Sequence, residues 1–183
     1  MLEKDKFYTG IGSRRTPSDI MTLMTDVARK LHDFGMILRS GGAGGADTAF
    51  ESGVTMPERK VIYLPWKGFN GRYEEEGSVF EYSDRHVEIA TAAHRSWGHL
   101  DQWGKAMHTR NVAQVLGGDC STPSNFVICW TPRGETKGGT ATAIKIASEN
   151  RIVVFNLFNR RAHDAMVEFV STGNFDEEAW AIL

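Results

Sequence analysis

The sequence predicts an α/β domain of Rossmann-like build, a mainly parallel sheet of about five or more strands with helices on both faces. Short apolar runs of strand length alternate with longer segments of helical period. Several of those runs are apolar throughout, as strands covered on both faces must be. Glycine-rich turns follow three of the runs directly, and right-handed crossovers place all such strand-to-helix turns on one, carboxyl, edge of the sheet.

Phe7 to Ile11 reads as a first strand, entered from a charged leader. From Pro17 to Phe34 the apolar residues Ile20, Leu23, Met24, Val27, Ala28 and Leu31 fall on one helix face. Thr16 or Ser18 is positioned to cap that helix, Pro17 suits its first turn, and Gly35 suits its end. Met36 to Leu38 forms a second strand, and a short helix is expected from about Ala46 to Ser52. Val61 to Leu64 forms a third strand, stopped by Pro65. Residues 66–85, rich in glycine, aromatic and acidic residues, read as a long loop or partly helical insertion, the whole excursion running to about 100. Helical character returns over about 84–93 and 101–116. Phe126 to Trp130 is the fourth strand expected, followed by a helix over about 140–148 and a fifth strand at Ile152 to Phe155. A terminal amphipathic helix over about 162–170 leads into an apolar tail ending Trp180-Ala181-Ile182-Leu183, which together suit a homodimer contact. The 183 residues are expected to form a single domain, with a helical tail over about 160–183.

Apolar residues make up 41% and charged residues 24% of the chain, enough for a true core and unlike a disordered segment. A formal net charge of −2 disfavours non-specific nucleic-acid binding, which usually needs a strongly basic footprint, while leaving room for a local basic pocket. Cys120 and Cys129 form neither a CxxC pair nor part of a His-rich cluster, and His94 and His99 lack HExxH spacing. No metal site, cofactor, signal peptide or membrane span is therefore expected, and the chain reads as a cytoplasmic protein.

The three turns carry the functional signal. They are Gly10-Ile11-Gly12-Ser13-Arg14-Arg15, Ser40-Gly41-Gly42-Ala43-Gly44-Gly45-Ala46-Asp47 and Gly134-Glu135-Thr136-Lys137-Gly138-Gly139-Thr140-Ala141-Thr142. Glycine allows a ligand to approach the backbone, and each following helix aims unpaired N–H groups and a positive dipole end into the same space. Phosphate is the usual occupant of such a seat. There is no GxxxxGK[ST] element, and Gly10-Ile11-Gly12 lacks the third glycine of GxGxxG, so neither a P-loop NTPase nor an ordinary NAD enzyme fits.

Taken as a set, Gly-Ser-Arg at 12–14, Ser-Gly-Gly-Ala-Gly-Gly-Ala-Asp at 40–47, Arg110-Asn111 and Gly-Gly-Thr-Ala-Thr-Ala at 138–143 resemble the SLOG superfamily over about residues 7–156. The closest resemblance is to its YspA-like branch, and a more distant one is to the LOG phosphoribohydrolases and DNA-processing protein A. The resemblance implies a Rossmann-like sheet that binds nucleotides or nucleotide-derived signals such as ADP-ribose-type molecules. It implies cleavage only for the LOG branch, where the last loop reads PGGxGTxxE and its glutamate is catalytic. Here Ala141 replaces the third glycine and Lys145 stands where the glutamate would fall; Glu135, in the same loop, is the remaining carboxylate.

Ser13 and Arg14 can supplement backbone amides on a phosphate. Asp47 opens a helix, where it either satisfies backbone donors or accepts from a ribose hydroxyl. A buried Arg110 needs an anion, either ligand phosphate or a structural carboxylate. His94, His99 and His108, with Arg95, Trp97 and Trp103, read either as a lid that stacks a base or as a surface helix pair. Glu74-Glu75-Glu76 reads as a solvated charge run or a general base, and Trp66, Phe69 and Tyr73 as a pocket wall or insertion core. The leading expectation is a sensor or sequestering protein for a phosphate-containing nucleotide or derivative. Its expected ligand-binding set is Gly12, Ser13, Arg14, Ser40, Gly41, Gly42, Gly44, Gly45, Asp47, Arg110, Asn111, Gly138, Gly139, Thr140 and Thr142. The first alternative is a nucleoside-monophosphate N-glycosidase, with Glu135 and Arg110 as candidate catalytic residues; the second is a single-stranded DNA-binding recombination mediator.

Overall fold

The computed structural model describes residues 6–73 and 77–174. The first five residues, the acidic run Glu74 to Glu76 and the apolar end of the tail lie outside the described residues. In chain order the elements are β1 (Phe7–Gly10), α1 (Ser18–Asp33), β2 (Ile37–Ser40), α2 (Ala46–Ser52), β3 (Lys60–Tyr63), β4 (Ser78–Val79), α3 (Asp84–Ala93), α4 (Gln102–Leu116), β5 (Phe126–Cys129), α5 (Gly139–Glu149), β6 (Val153–Asn156) and α6 (Arg160–Thr172). The six strands form one parallel sheet in the order β4-β3-β2-β1-β5-β6, with helices on both faces.

Alternation along the buried strands divides the core in two. Tyr8, Leu38, Phe126 and Ile128 point to the face covered by α1, α2 and α6, where they meet Met24, Leu31, Phe50, Met166 and Phe169. Val127 and Cys129 point the other way, to Val112 and Val115 of α4 and Ala143 and Ile146 of α5. Burial of each large apolar side chain contributes about 1.5–3 kcal/mol, so these two layers drive the fold. Burial also pushes the Cys129 thiol up to about 12, leaving it an inert small hydrophobe.

The start of α1 differs from expectation. Neither Thr16 nor Ser18 caps it: Pro17 occupies the N-cap position, and the Thr16 hydroxyl instead donates to the Ser13 carbonyl at 2.7 Å, closing the turn after β1. The end of α1 is as expected for a C′ glycine, with Gly35 at φ 75° and the Met36 N–H donating to the Leu31 carbonyl at 3.0 Å. The insertion contains β4, two residues added in parallel to β3 at the sheet edge, and a 3-10 turn at Phe69–Gly71. Among the described residues no helix is long and apolar enough to cross a membrane.

Helix α4 is the unusual element. It packs against α3, α5 and the sheet, yet its buried residues include His108, Thr109, Arg110, Asn111 and Gln114. Polar groups removed from water in this way need partners, and those partners form the site described next.

Candidate functional site

Strand order reverses between β1 and β5, where Gly10 pairs with Ile128. In open α/β sheets the crevice beyond the carboxyl ends of such a pair is where ligands bind. All three glycine-rich turns lie along this edge. The turn after β1 is fastened to its neighbours: the Ser13 N–H donates to the Trp130 carbonyl at 3.1 Å, and the Ser13 carbonyl accepts from the Ala46 N–H at 3.3 Å. The Ser13 hydroxyl accepts from the Arg15 N–H at 3.0 Å, leaving Arg14 and Arg15 exposed at the rim.

At the centre sits an ion pair rather than an empty anion seat. Asp47 Oδ2 lies 3.5 Å from Arg110 Nη1, with both side chains about 95% buried (4% and 5% exposed). The Asp47 carboxylate also accepts the Ala43 N–H at 3.3 Å and is supported by the Gly12 and Gly41 amides. Burial raises the Asp47 carboxyl and lowers the Arg110 guanidinium, and each charge offsets the shift in the other. Asp47 therefore engages backbone donors of two of the three turns, and Arg110 has a structural carboxylate as its partner.

From this pair a polar chain runs to the third turn. With its amide oriented so that the oxygen accepts from Arg110 Nη1 (3.2 Å) and the Gly41 N–H (3.0 Å), Gln114 donates to Asn111 Oδ1 at 2.9 Å. Asn111 Nδ2 in turn donates to the Gly139 carbonyl at 2.7 Å, holding the first residue of α5 against α4. One group in the chain is left over, since the buried Arg110 Nε has no hydrogen-bond partner among the described residues.

Above the network lies a cavity of about 440 Å³. Of the residues expected from sequence, Gly12, Ser13, Arg14, Asp47, Arg110, Asn111, Gly138, Gly139 and Thr140 line it. Sequence reasoning missed Arg15, Met107, Gln114, Thr131, Pro132 and Lys137, which share the lining. The arginine doublet and the lysine beside Gly138 were visible as basic residues flanking the turns; Met107 and Gln114 carry no local signal. Gly139 and Thr140 begin α5, so their N–H groups have no partner within the helix. A Cβ added at Gly138 or Gly139 would meet nothing within 4 Å, so these two glycines border open space.

The other expected residues lie elsewhere. The Ser40 hydroxyl is buried and donates to the Gly10 carbonyl at 2.7 Å. Gly41 lies directly beneath Arg110 and Gln114, and the Gly42 carbonyl accepts from Asn70 Nδ2 at 3.1 Å. Gly44 and Gly45 border a shallow groove between α1 and α2. Thr142 is buried and shares a 2.7 Å hydrogen bond with His108 Nδ1. The second turn thus serves internal packing and the Asp47 carboxylate more than the cavity, because its amides already face a resident anion.

A neighbouring cavity of about 710 Å³ lies across the Lys137-Gly138 segment, lined also by His94, Arg95, Thr142 and Lys145. The His94 and His108 rings lie 4.2 Å apart. Burial, together with His94 and Arg110, lowers the His108 imidazole to about 4, so it is neutral near pH 7. Lys145, at the position of the LOG glutamate, pairs with Glu149 at 3.7 Å and donates to the Ala92 carbonyl. Glu135 is at the surface between Arg133 (2.8 Å) and Lys137 (2.9 Å), whose hydrogen bonds pull its carboxyl down to about 2. A carboxylate held by two cations is a poor general base. His99 and Trp103 are exposed, whereas Trp97 packs against the core beneath α3. Trp66 and Phe69 pack with Trp103 outside the cavity, and Tyr73 is exposed.

No family model matches the chain, and no curated protein matches it. Among solved structures it is similar to DNA processing protein A from Helicobacter pylori, described for its single-stranded DNA binding mode, with 12% identity, 91% of this chain and 80% of that chain covered, and a TM-score of 0.40.

Proposed function

We propose that the protein binds a phosphate-bearing nucleotide or nucleotide-derived molecule in the cavity between the turns after β1 and β5, as a sensor or sequestering protein. The observation that carries this reading is the cavity at the strand-order reversal, onto which the free first turn of α5 opens beside a buried guanidinium with an unpartnered Nε. The phosphate rests on the Gly139 and Thr140 amides, and Arg14, Arg15 and Lys137 supply attraction from the rim. The resemblance of the three turns to the SLOG superfamily supports the same ligand class.

Binding without turnover fits the carboxylates better than glycoside cleavage does. Among the described residues, Asp47 is the one carboxylate lining the cavity, and it is held by Arg110 and three amides. Departure of a base needs an available acid or base at the anomeric carbon.

Titration calorimetry with AMP, ribose 5-phosphate and inorganic phosphate tests the proposal. AMP is expected to bind, and Arg14→Ala combined with Lys137→Ala to weaken it about tenfold and flatten its salt dependence, as loss of charge-assisted contacts worth ~1.4 kcal/mol requires. Binding of no phosphorylated compound, or affinities indifferent to Gly138→Val and to the double variant, would end the proposal. Chromatography of the same mixtures is expected to show no free adenine. An oligodeoxythymidylate that outcompetes AMP and weakens steeply with salt would favour the DNA-binding alternative instead.

A further inference from the structure

Beyond the phosphate seat, we infer that the base of the bound nucleotide stacks on Trp103 at the outer rim, beside Trp66, so that the site takes nucleotides in preference to sugar phosphates; this rests on the phosphate site proposed above. Trp103, Met107 and Arg110 stand at i, i+4 and i+7 of α4, one helix face. Arg110 and Met107 line the cavity, and Trp103 continues the same face outward by one turn. Seven residues of helix span about 10 Å, a reach comparable to that of a nucleoside monophosphate from phosphate to base.

A second row of rings runs the same way. The Phe69 ring centre lies 5.9 Å from Arg110 Cζ, Trp66 meets Phe69 at 5.2 Å and 87°, and Trp103 meets Trp66 at 4.8 Å and 65°. An edge-to-face contact takes up at most one face of the Trp103 indole, and Trp103 remains 52% exposed. Packing within the fold accounts for Trp66 and Phe69 but not for leaving a second indole half in water at the end of a row that starts at the buried arginine. Stacking on an indole tolerates any base, because every base has a π-face. The recognised class is therefore nucleotides without strong base selectivity.

Calorimetric titration of wild type and Trp103→Ala with AMP and with ribose 5-phosphate, the two probes differing only in the base, tests this. Wild type is expected to hold AMP about tenfold more tightly than ribose 5-phosphate. Trp103→Ala is expected to remove that advantage while leaving ribose 5-phosphate unchanged, and Trp103→Tyr to restore most of it. Equal affinities of the two probes for wild type, or an AMP preference that Trp103→Ala keeps, overturn the stacking inference while the phosphate reading stands. If neither probe binds wild type, the phosphate reading fails and this inference falls with it. The first comparison uses wild type alone and so does not depend on how well the variant folds.

Discussion

Gly41 shows how a single missing side chain arranges the centre of the site. A Cβ there would collide with the Arg110 guanidinium and the Gln114 amide, so glycine at 41 lets Arg110 lie over the end of β2 in the position from which it meets Asp47. Removing one partner of such a pair leaves a buried charge uncompensated. Arg110→Met is therefore expected to lower stability by about 3–5 kcal/mol, and Gly41→Ala to lower it less, by displacing a guanidinium that keeps its charge partner. Urea denaturation checks both, and Arg110→Met combined with Asp47→Asn should be less damaging than the sum of the singles. From sequence, Arg110 was legible as a residue that needs an anion if buried, and Asp47 as a carboxylate at a helix start. That each answers the other was not legible, because the contact is made by two elements brought together only by the sheet.

Helices α2 and α3 have the bounds expected from sequence, and the five expected strands agree to within one or two residues, because short apolar runs mark them locally. Strand β4 was not legible: Ser78 and Val79 make no run, and only pairing with β3 defines them. Helix α4 was legible as a helix but not as a buried polar one, since its partners belong to α5, β1 and the turns. Its contact with α5 through His108 and Thr142 has a pH signature. The His108 value of about 4 in the fold lies below the ordinary 6.5, so the unfolded chain binds this proton more tightly. The contribution is fully present above about pH 6.5 and is lost as pH falls toward 4. Thermal melts from about pH 7 to about pH 5 should therefore show declining Tm, and His108→Gln should flatten the decline.

Across the whole molecule, the parallel sheet and the meeting of glycine turns at one edge followed from alternation of elements, whereas strand order did not, since it depends on which crossovers pack against which face. That order gives β1 a neighbour on either side and leaves β4 as a two-residue edge. Native-state hydrogen exchange should find the amides of β1, β2 and β5 slowest and those of β4 among the first strand amides to exchange; uniform protection across the sheet would contradict this. The polar chain from Asp47 through Arg110, Gln114 and Asn111 to Gly139 also ties α2, α4 and α5 together across the site. It should leave a mark in descent: a lineage that acquires a bulkier residue at position 41 displaces the arginine at 110, and the aspartate at 47 then keeps its backbone donors but loses its counter-charge. Across related proteins, positions 41 and 110 should change together.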